Sequence, residues 1–123
     1  MKERYITITG VQHYYGMKPL AVGRVLRCTK EPENCYDDEA IRAELPFIGK
    51  VGYVANSPHT CANGTMSAGR IYDSVENVFF ARVMFTTQTK VIARVLDGDP
   101  AELIEAFVAQ ASGFCAGTNG EGL

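Results

Sequence analysis

A run of ten residues, 31–40, carries five carboxylates with a tyrosine and a cysteine in its middle. Clustered acids can bind a divalent cation, act as a catalytic pair or form a solvated turn. An amide, a planar ring and an acid also lie close together here, as Asn34, Tyr36 and Asp37. A binding pocket is therefore a fourth interpretation of this run.

Metal binding is poorly supported by the spacing of the possible ligands. Asp37 and Glu39 are followed by an alternating stretch from Ile41 and lack the glycine turn of a calcium loop. The four cysteines and two histidines contain no closely spaced ligand pairs beyond His59 and Cys61, which are two residues apart. We expect no metal and no cofactor, and a zinc-binding protein remains a minor alternative.

Catalytic motifs are also missing from the sequence. A nucleophilic Cys35 or Cys61 needs a neighbouring base, and nothing in the spacing places His13 or His59 beside either thiol. The stretch around Lys50 has a single preceding glycine and does not match a phosphate-binding loop of the ATPase type. Most acids of the run are interpreted as a solvated turn. We expect no catalysis, with a hydrolase as a minor alternative.

Planar side chains occur at the ends of two predicted strands. His13 and Tyr14 follow the first strand, and Tyr36 precedes the third. Stacking on a nucleobase requires such planar groups, while the Asn34 amide can bind a base edge or phosphate and Asp37 can accept from a hydroxyl. The same residue types are common in turns and at strand ends. Local chemistry leaves base binding and structural packing both open.

The overall charge excludes a strongly basic, polyanion-attracting protein. Twelve Lys and Arg residues are set against fourteen Asp and Glu residues, so the net charge is −2. Any nucleic-acid binding must therefore be local. The sequence has no signal-peptide-like apolar stretch and no run of roughly 20 apolar residues, so we expect a cytoplasmic protein without membrane contact.

The elements that must position these residues are mostly strands. Period-two alternation and apolar runs bounded by turn residues predict a mainly β (α+β) fold. The predicted strands are 4–11, 20–29, 39–45, 47–54, 78–86 and 89–96.

One helix is predicted at 100–111, because Asp99 can cap it and Pro100 suits its first position. The segment 55–75 is expected to hold a short helix from about Pro58 and an ordered loop. The glycine-rich residues 113–123 predict a disordered tail beyond a single domain at 1–112.

Three stretches, "ITGVQHYYG", "LRCTKEPENCYDDEAIRAEL" and "GKVGYVANS", together resemble a HIRAN domain. This module occurs at the N-terminus of Swi/Snf-type DNA-remodelling translocases and as a stand-alone bacterial protein. The similarity covers about residues 6–57 and continues more weakly over 78–96. Its most specific part is "EPENCYDDEAI", in which Cys35 replaces the usual proline, followed by "VGYV". The resemblance implies an OB-like small β-barrel of about six strands, with a C-terminal helix and a short helix or loop insertion.

The resemblance also implies a ligand, single-stranded DNA with a free 3′-hydroxyl end. By motif position, Asn34 would contact the terminal nucleotide, Tyr36 would stack on a base, and Asp37 would accept the 3′-hydroxyl hydrogen bond. This use of an acid is physically reasonable, since a carboxylate repels phosphates but accepts from a free hydroxyl.

Further site residues follow from the same resemblance. His13 falls at a second stacking position, next to Tyr14, and Gln12 falls where the best-studied branch of the family has a basic residue. Tyr53 falls at a pocket position. The cations expected to attract the strand are Arg27, Lys30 and Lys50.

The neutral side chain at Gln12 and the net negative charge leave a second interpretation open, a protein-interaction or regulatory barrel that has lost the DNA pocket. The expected protein partners of a DNA-binding form are DNA repair or replication proteins.

Overall fold

Six strands with alternating inward apolar side chains close into an antiparallel barrel in the computed structural model, which describes residues 3–121 and the side chains of residues 3–111. The strands are β1 (Tyr5–Thr9), β2 (Val25–Lys30), β3 (Ile41–Leu45), β4 (Gly49–Val54), β5 (Val78–Thr86) and β6 (Val91–Val95). Their order around the barrel is β1-β4-β3-β2-β5-β6, and β6 pairs back onto β1. The predicted mainly β, six-stranded barrel is confirmed.

Alternation along the strands builds the core. On β3, Ile41, Ala43 and Leu45 are buried while the residues between them are partly exposed, and β6 shows the same pattern. Cys28 is fully buried, as expected of a small apolar residue, and burial raises the pKa of its thiol. The outward face of these strands carries polar side chains, including the ion pairs of Arg27 and Arg42 with Glu44.

Several strands are shorter than their predicted ranges because residues with positive φ bend the chain. Gly10, with φ of 74°, ends β1 at Thr9, and a 3-10 turn, Val11–His13, follows. Gly23, with φ of 99°, precedes the start of β2 at Val25. Phe47 also has a positive φ of 75°, so β4 begins at Gly49 and not at residue 47.

The insertion between β4 and β5 contains its short helix later than predicted. Helix α1 (Ala68–Ile71) is capped by Ser67, whose side chain accepts from the Arg70 N–H at 3.2 Å. Ser57 organises only a single turn, in which its carbonyl accepts from the N–H groups of Thr60 and Cys61. Gly64, with φ of 87°, separates the two segments.

The insertion is attached to the barrel through β1. Thr7 is fully buried, and its hydroxyl lies 2.7 Å from the Thr65 hydroxyl and accepts from the Ala62 N–H at 3.1 Å. The N–H of Met66 donates to the carbonyl of Tyr5 at 2.7 Å. Residues 62–66 therefore keep a fixed position against β1.

Helix α2 (Pro100–Glu121) begins at the predicted residue and extends past the predicted end at 111. The glycines at 113 and 117 each weaken a helix by about 1 kcal/mol relative to alanine but do not forbid one. The predicted disordered tail, 113–123, lies partly outside the described residues, at 122–123, and otherwise in a stretch with only its backbone described.

Two contacts dock α2 on the barrel. Phe107 is buried against Phe80, with ring centroids 5.8 Å apart, and the Gln110 amide exchanges two 2.8 Å hydrogen bonds with the backbone of Val25. None of the helices within residues 3–121 combines the length and hydropathy needed to cross a bilayer.

Gly52 marks a close approach of β4 to β1. A Cβ at this position would lie 2.8 Å from the Thr9 carbonyl oxygen and 2.9 Å from Ile8 Cγ2. We predict that Gly52→Ala lowers the free energy of unfolding by about 1–3 kcal/mol, because backbone at the clash cannot easily move aside. Urea denaturation of the purified protein measures this, and an unchanged midpoint would contradict the close approach.

Candidate nucleic-acid interface

An open cleft of about 580 Å³ lies where the ends of β1 and β4 meet the loop between β2 and β3. It has a mixed aromatic and polar lining. Among the described residues, the lining includes no Lys or Arg and one carboxylate, that of Asp37. The side chains that matter most are Thr9, Tyr14, Asn34, Tyr36, Tyr53 and Asn56.

Three tyrosine rings reach the cleft from three different elements. Tyr36, in the β2–β3 loop, is 94% exposed, and Tyr14, just after the 3-10 turn, is 40% exposed. Tyr53 on β4 is half-buried, and its ring centroid lies 6.5 Å from that of Tyr14 at an angle of 45°. The exposed rings offer flat surface for a stacked base, while Tyr53 supports Tyr14 from the barrel side.

Asn34 fixes the shape of the loop that carries Tyr36. Its Oδ1 accepts from the N–H groups of Tyr36 at 2.8 Å and Asp37 at 3.1 Å, and its Nδ2 donates to Glu31 Oε1 at 2.9 Å. One amide N–H of Asn34 is left for a ligand. Its main contribution is therefore to hold the next residues in place.

Asp37 is held from two sides. Its Oδ1 accepts from the Glu39 N–H at 2.9 Å, and its Oδ2 accepts from Asn56 Nδ2 at 2.9 Å. Asn56 is oriented in turn by the N–H of Gly69, which donates to its Oδ1 at 2.7 Å. A carboxylate offers about four acceptor positions, so about two remain for a ligand.

Gly69 lies close to two polar side chains. A Cβ there would lie 2.5 Å from Glu39 Oε1 and 3.2 Å from Asn56 Oδ1. The first turn of α1 therefore packs closely against Asn56, while the Glu39 contact involves the end of an exposed, flexible side chain that can move aside. The insertion in this way takes part in orienting the acid of the cleft.

Glu31 joins the loop to the barrel behind the cleft. Its Oε1 accepts from Asn34 at 2.9 Å and from the Tyr53 hydroxyl at 2.8 Å, and its Oε2 pairs with Arg42 at 3.3 Å. Lys50 lies 3.8 Å away and donates to the Tyr53 hydroxyl at 2.7 Å. A single carboxylate therefore connects residues of the loop, β3 and β4.

These contacts shift the pKa values of Glu31, Lys50 and Tyr53. Burial alone raises the pKa of the Glu31 carboxyl, but hydrogen bonds from Asn34, Tyr53 and Arg42 and the charge of Lys50 hold it below its usual value. The hydrogen bond with Tyr53 raises the pKa of the Lys50 ammonium. Burial and the Glu31 carboxylate raise the pKa of Tyr53, against the effect of Lys50.

Lys50 places a positive charge behind the rings. Its Nζ lies 4.8 Å from the ring centroid of Tyr53 and 5.7 Å from that of Tyr14. Lys50 does not line the cleft, so its ammonium lies behind the aromatic wall formed by the Tyr14 and Tyr53 rings.

The structure brings together most of the residues predicted from the sequence. Those that line the cleft are Tyr14, Asn34, Tyr36, Asp37 and Tyr53, with Lys50 behind them. His13 is exposed at the end of the 3-10 turn but does not line the cleft, whereas its neighbour Tyr14 does. Gln12 lines an adjoining groove.

Two predicted cations lie elsewhere. Arg27 pairs with Glu44 at 3.0 Å, and its guanidinium carbon lies 5.0 Å from the Phe107 ring centroid, because alternation on β2 directs it toward α2. Lys30 donates to the Val75 carbonyl at 2.8 Å. Both side chains are engaged away from the cleft.

Glu31 and Asn56 were not predicted as site residues. The acidic run was interpreted as solvated, whereas Glu31 is only 15% exposed and has four polar neighbours. One sequence signal could have indicated the position of Glu31. It lies two residues beyond Thr29, so it continues the face of β2 that carries Arg27 and Thr29. Asn56 lies two residues past the end of β4, and a polar side chain just beyond a strand is a sequence signal of a site at the strand end.

Metal ligands do not converge in the part of the chain whose side chains are described: no group of three or more His, Cys, Asp or Glu residues there is placed to hold an ion. Cys35 is an exposed free thiol, and Cys61 is a half-buried one.

A small closed antiparallel β-barrel with exposed aromatic rings beside a polar cleft is an OB-like architecture. Within this class, the sequence model of the HIRAN domain matches residues 1–97, so the chain belongs to the HIRAN family of nucleic-acid-binding modules. No curated protein matches the chain.

Two solved structures share the fold. The crystal structure of the HIRAN domain of human HLTF is 17% identical, with 76% of this chain and 72% of that chain covered and a TM-score of 0.53. A protein from Lactobacillus plantarum is 21% identical, with 77% and 93% covered and a TM-score of 0.51.

Acid is predicted to destabilise the protein partly through Glu31. Because its pKa is lowered in the folded state, ionised Glu31 stabilises the fold above the ordinary value of 4.5, and this stabilisation is lost as the pH falls through the folded-state value. Glu31→Gln should lower the free energy of unfolding by about 1–2 kcal/mol at neutral pH and have a smaller effect in acid.

Urea denaturation at neutral pH and at about pH 3 measures the difference. Glu33→Gln is the matched control, since Glu33 is exposed and forms no hydrogen bond or ion pair with the described residues. A Glu31→Gln effect that does not change with pH would contradict the assignment.

Proposed function

We propose that the protein binds single-stranded DNA ending in a free 3′-hydroxyl and has no catalytic activity of its own. The chief support is the convergence of Tyr14, Tyr36 and Asp37 on one open cleft. In this proposal the protein is cytoplasmic, and proteins of DNA repair or replication, which handle free 3′ ends, are its partners.

The rings supply sequence-independent affinity. Tyr36 is almost fully exposed, and the backbone around it is fixed by Asn34, so stacking on a base need not order a flexible loop. Tyr14 provides a second exposed face supported by Tyr53. Each stacked base contributes about 1–3 kcal/mol.

The charge of the cleft favours a strand end over an internal segment. Asp37 is the only carboxylate among the described lining residues, and no lining cation offsets it. A phosphate placed beside Asp37 would be repelled, whereas a free hydroxyl can donate to one of its unused acceptor positions. The cleft therefore suits the terminal sugar of a 3′-hydroxyl strand.

Asp37→Ala should abolish the preference for a 3′-hydroxyl over a 3′-phosphate. The expected loss is about 1.5–3 kcal/mol for the 3′-hydroxyl strand, the value of a hydrogen bond to a charged group. Fluorescence anisotropy of two labelled oligonucleotides that differ only at the 3′ end measures it. Asp38→Ala is the control, because Asp38 is an exposed acid of the same loop that does not line the cleft.

A variant with a merely loosened loop would bind both ends more weakly and keep their ratio. Equal binding of the two ends by the unaltered protein would contradict end recognition.

The lack of a cation among the described lining residues favours one other function, that of a protein-interaction barrel. Protein partners that remain bound after nuclease treatment, together with no oligonucleotide binding, would support this alternative.

Tyr36→Ala should weaken binding of every oligonucleotide by about 1–3 kcal/mol, whatever its 3′ end, because a stacking surface is removed. Tyr15→Ala is the matched control, since Tyr15 is 53% exposed but does not line the cleft. The same anisotropy titration serves, and equal losses in the two variants would contradict a specific stacking role.

A further inference from the structure

Taking the proposed function as a basis, we infer that a groove beside the cleft binds the phosphate preceding the terminal nucleotide. The groove measures about 580 Å³ and shares Thr9 and Thr60 with the cleft, so the two are continuous. Its other polar side chains are Gln12, Gln88, Thr89 and Lys90.

Lys90 is the cation of this groove, and its ammonium has no hydrogen-bond or ion-pair partner among the described residues. The cations nearer the sequence motif are engaged. Arg27 and Arg42 both pair with Glu44, and Lys50 donates to Tyr53. Lys90 can therefore neutralise a phosphate without breaking an existing contact.

The strand register places Lys90 close to the cleft. Thr9 lies opposite Tyr53 on β4, and the pairing of Ile8 with Val91 puts Lys90 next in register to Thr9 on the other side. Two inter-strand spacings, roughly 10 Å, thus separate the Tyr53 and Lys90 backbones. This is about one Debye length at 0.1 M salt, so the charge reaches a ligand at the cleft.

The backbone of Lys90 is fixed although its side chain is unpaired. The Thr87 N–H donates to the Lys90 carbonyl at 2.8 Å, and the Lys90 N–H donates to the Thr87 hydroxyl at 3.0 Å. The β5–β6 turn therefore presents the ammonium from a defined position.

The groove and the cleft have complementary charges. No carboxylate occurs among the described residues that line the groove, and the amides of Gln12 and Gln88 can donate to phosphate oxygens. In the cleft, Asp37 selects a hydroxyl. A cation in the β5–β6 turn, Lys90, thus supplies the positive charge that Gln12 does not, and it does so away from the acid.

Lys90→Gln tests this assignment in anisotropy titrations of a 3′-hydroxyl oligonucleotide at several salt concentrations. Loss of one phosphate contact should reduce the slope of log affinity against log salt by about 0.7, which is about a fivefold loss at 0.1 M salt. Lys18→Gln removes the same charge from an exposed residue that lines neither cavity and should leave the slope unchanged.

The ratio of 3′-hydroxyl to 3′-phosphate affinity distinguishes the phosphate contact at Lys90 from the end recognition at Asp37. A smaller slope in Lys90→Gln with an unchanged ratio supports the groove. An unchanged slope, or an effect equal to that of Lys18→Gln, overturns it. A smaller slope without any end preference in the unaltered protein keeps the phosphate contact and overturns end recognition, and no binding at all overturns both.

Discussion

The Glu31 carboxylate is the interaction on which the arrangement of the cleft depends. It receives hydrogen bonds from Asn34 and Tyr53 and pairs with Arg42, so it fixes the loop, the aromatic wall and β3 relative to one another. Burying a charge is costly unless it is paired and hydrogen-bonded, and here both conditions are met. The cleft residues Asn34 and Tyr53 are consequently held in place by Glu31, a residue that is itself mostly buried.

The barrel could be predicted because apolar alternation and short apolar runs mark strands, and a strand is present in each of the six predicted ranges. Strict alternation of burial is seen in β3 and β6, whereas Thr7 on β1 is buried on the side expected to face outward. The strand ends were less predictable, since they depend on backbone conformations such as the positive φ of Phe47, a residue type not expected to adopt it. The helix in the insertion was misplaced because Ser57 and Ser67 are equally good caps and only tertiary contacts select the second.

The site was predicted in part. Tyr36 and Asp37 belong to a specific motif, whereas the roles of Glu31 and Asn56 arise from partners distant in sequence. Glu31 meets Tyr53, 22 positions away, and Asn56 meets Asp37, 19 positions away. Spacing along the chain does not show which acid of a run folds inward. The choice of Tyr14 over His13 likewise depends on the 3-10 turn that orients them.

The closure of the barrel also limits how this domain can meet a protein partner. Because β6 pairs back onto β1, each of the six described strands has a hydrogen-bonded neighbour on both sides, with the shortest pairing between β1 and β4. Among its described strands, the barrel therefore offers no complete free strand to which a peptide could add, unlike many other β domains. The same closure disfavours self-association by edge-to-edge pairing, and it leaves side chains and rim loops as the main surface for recognition.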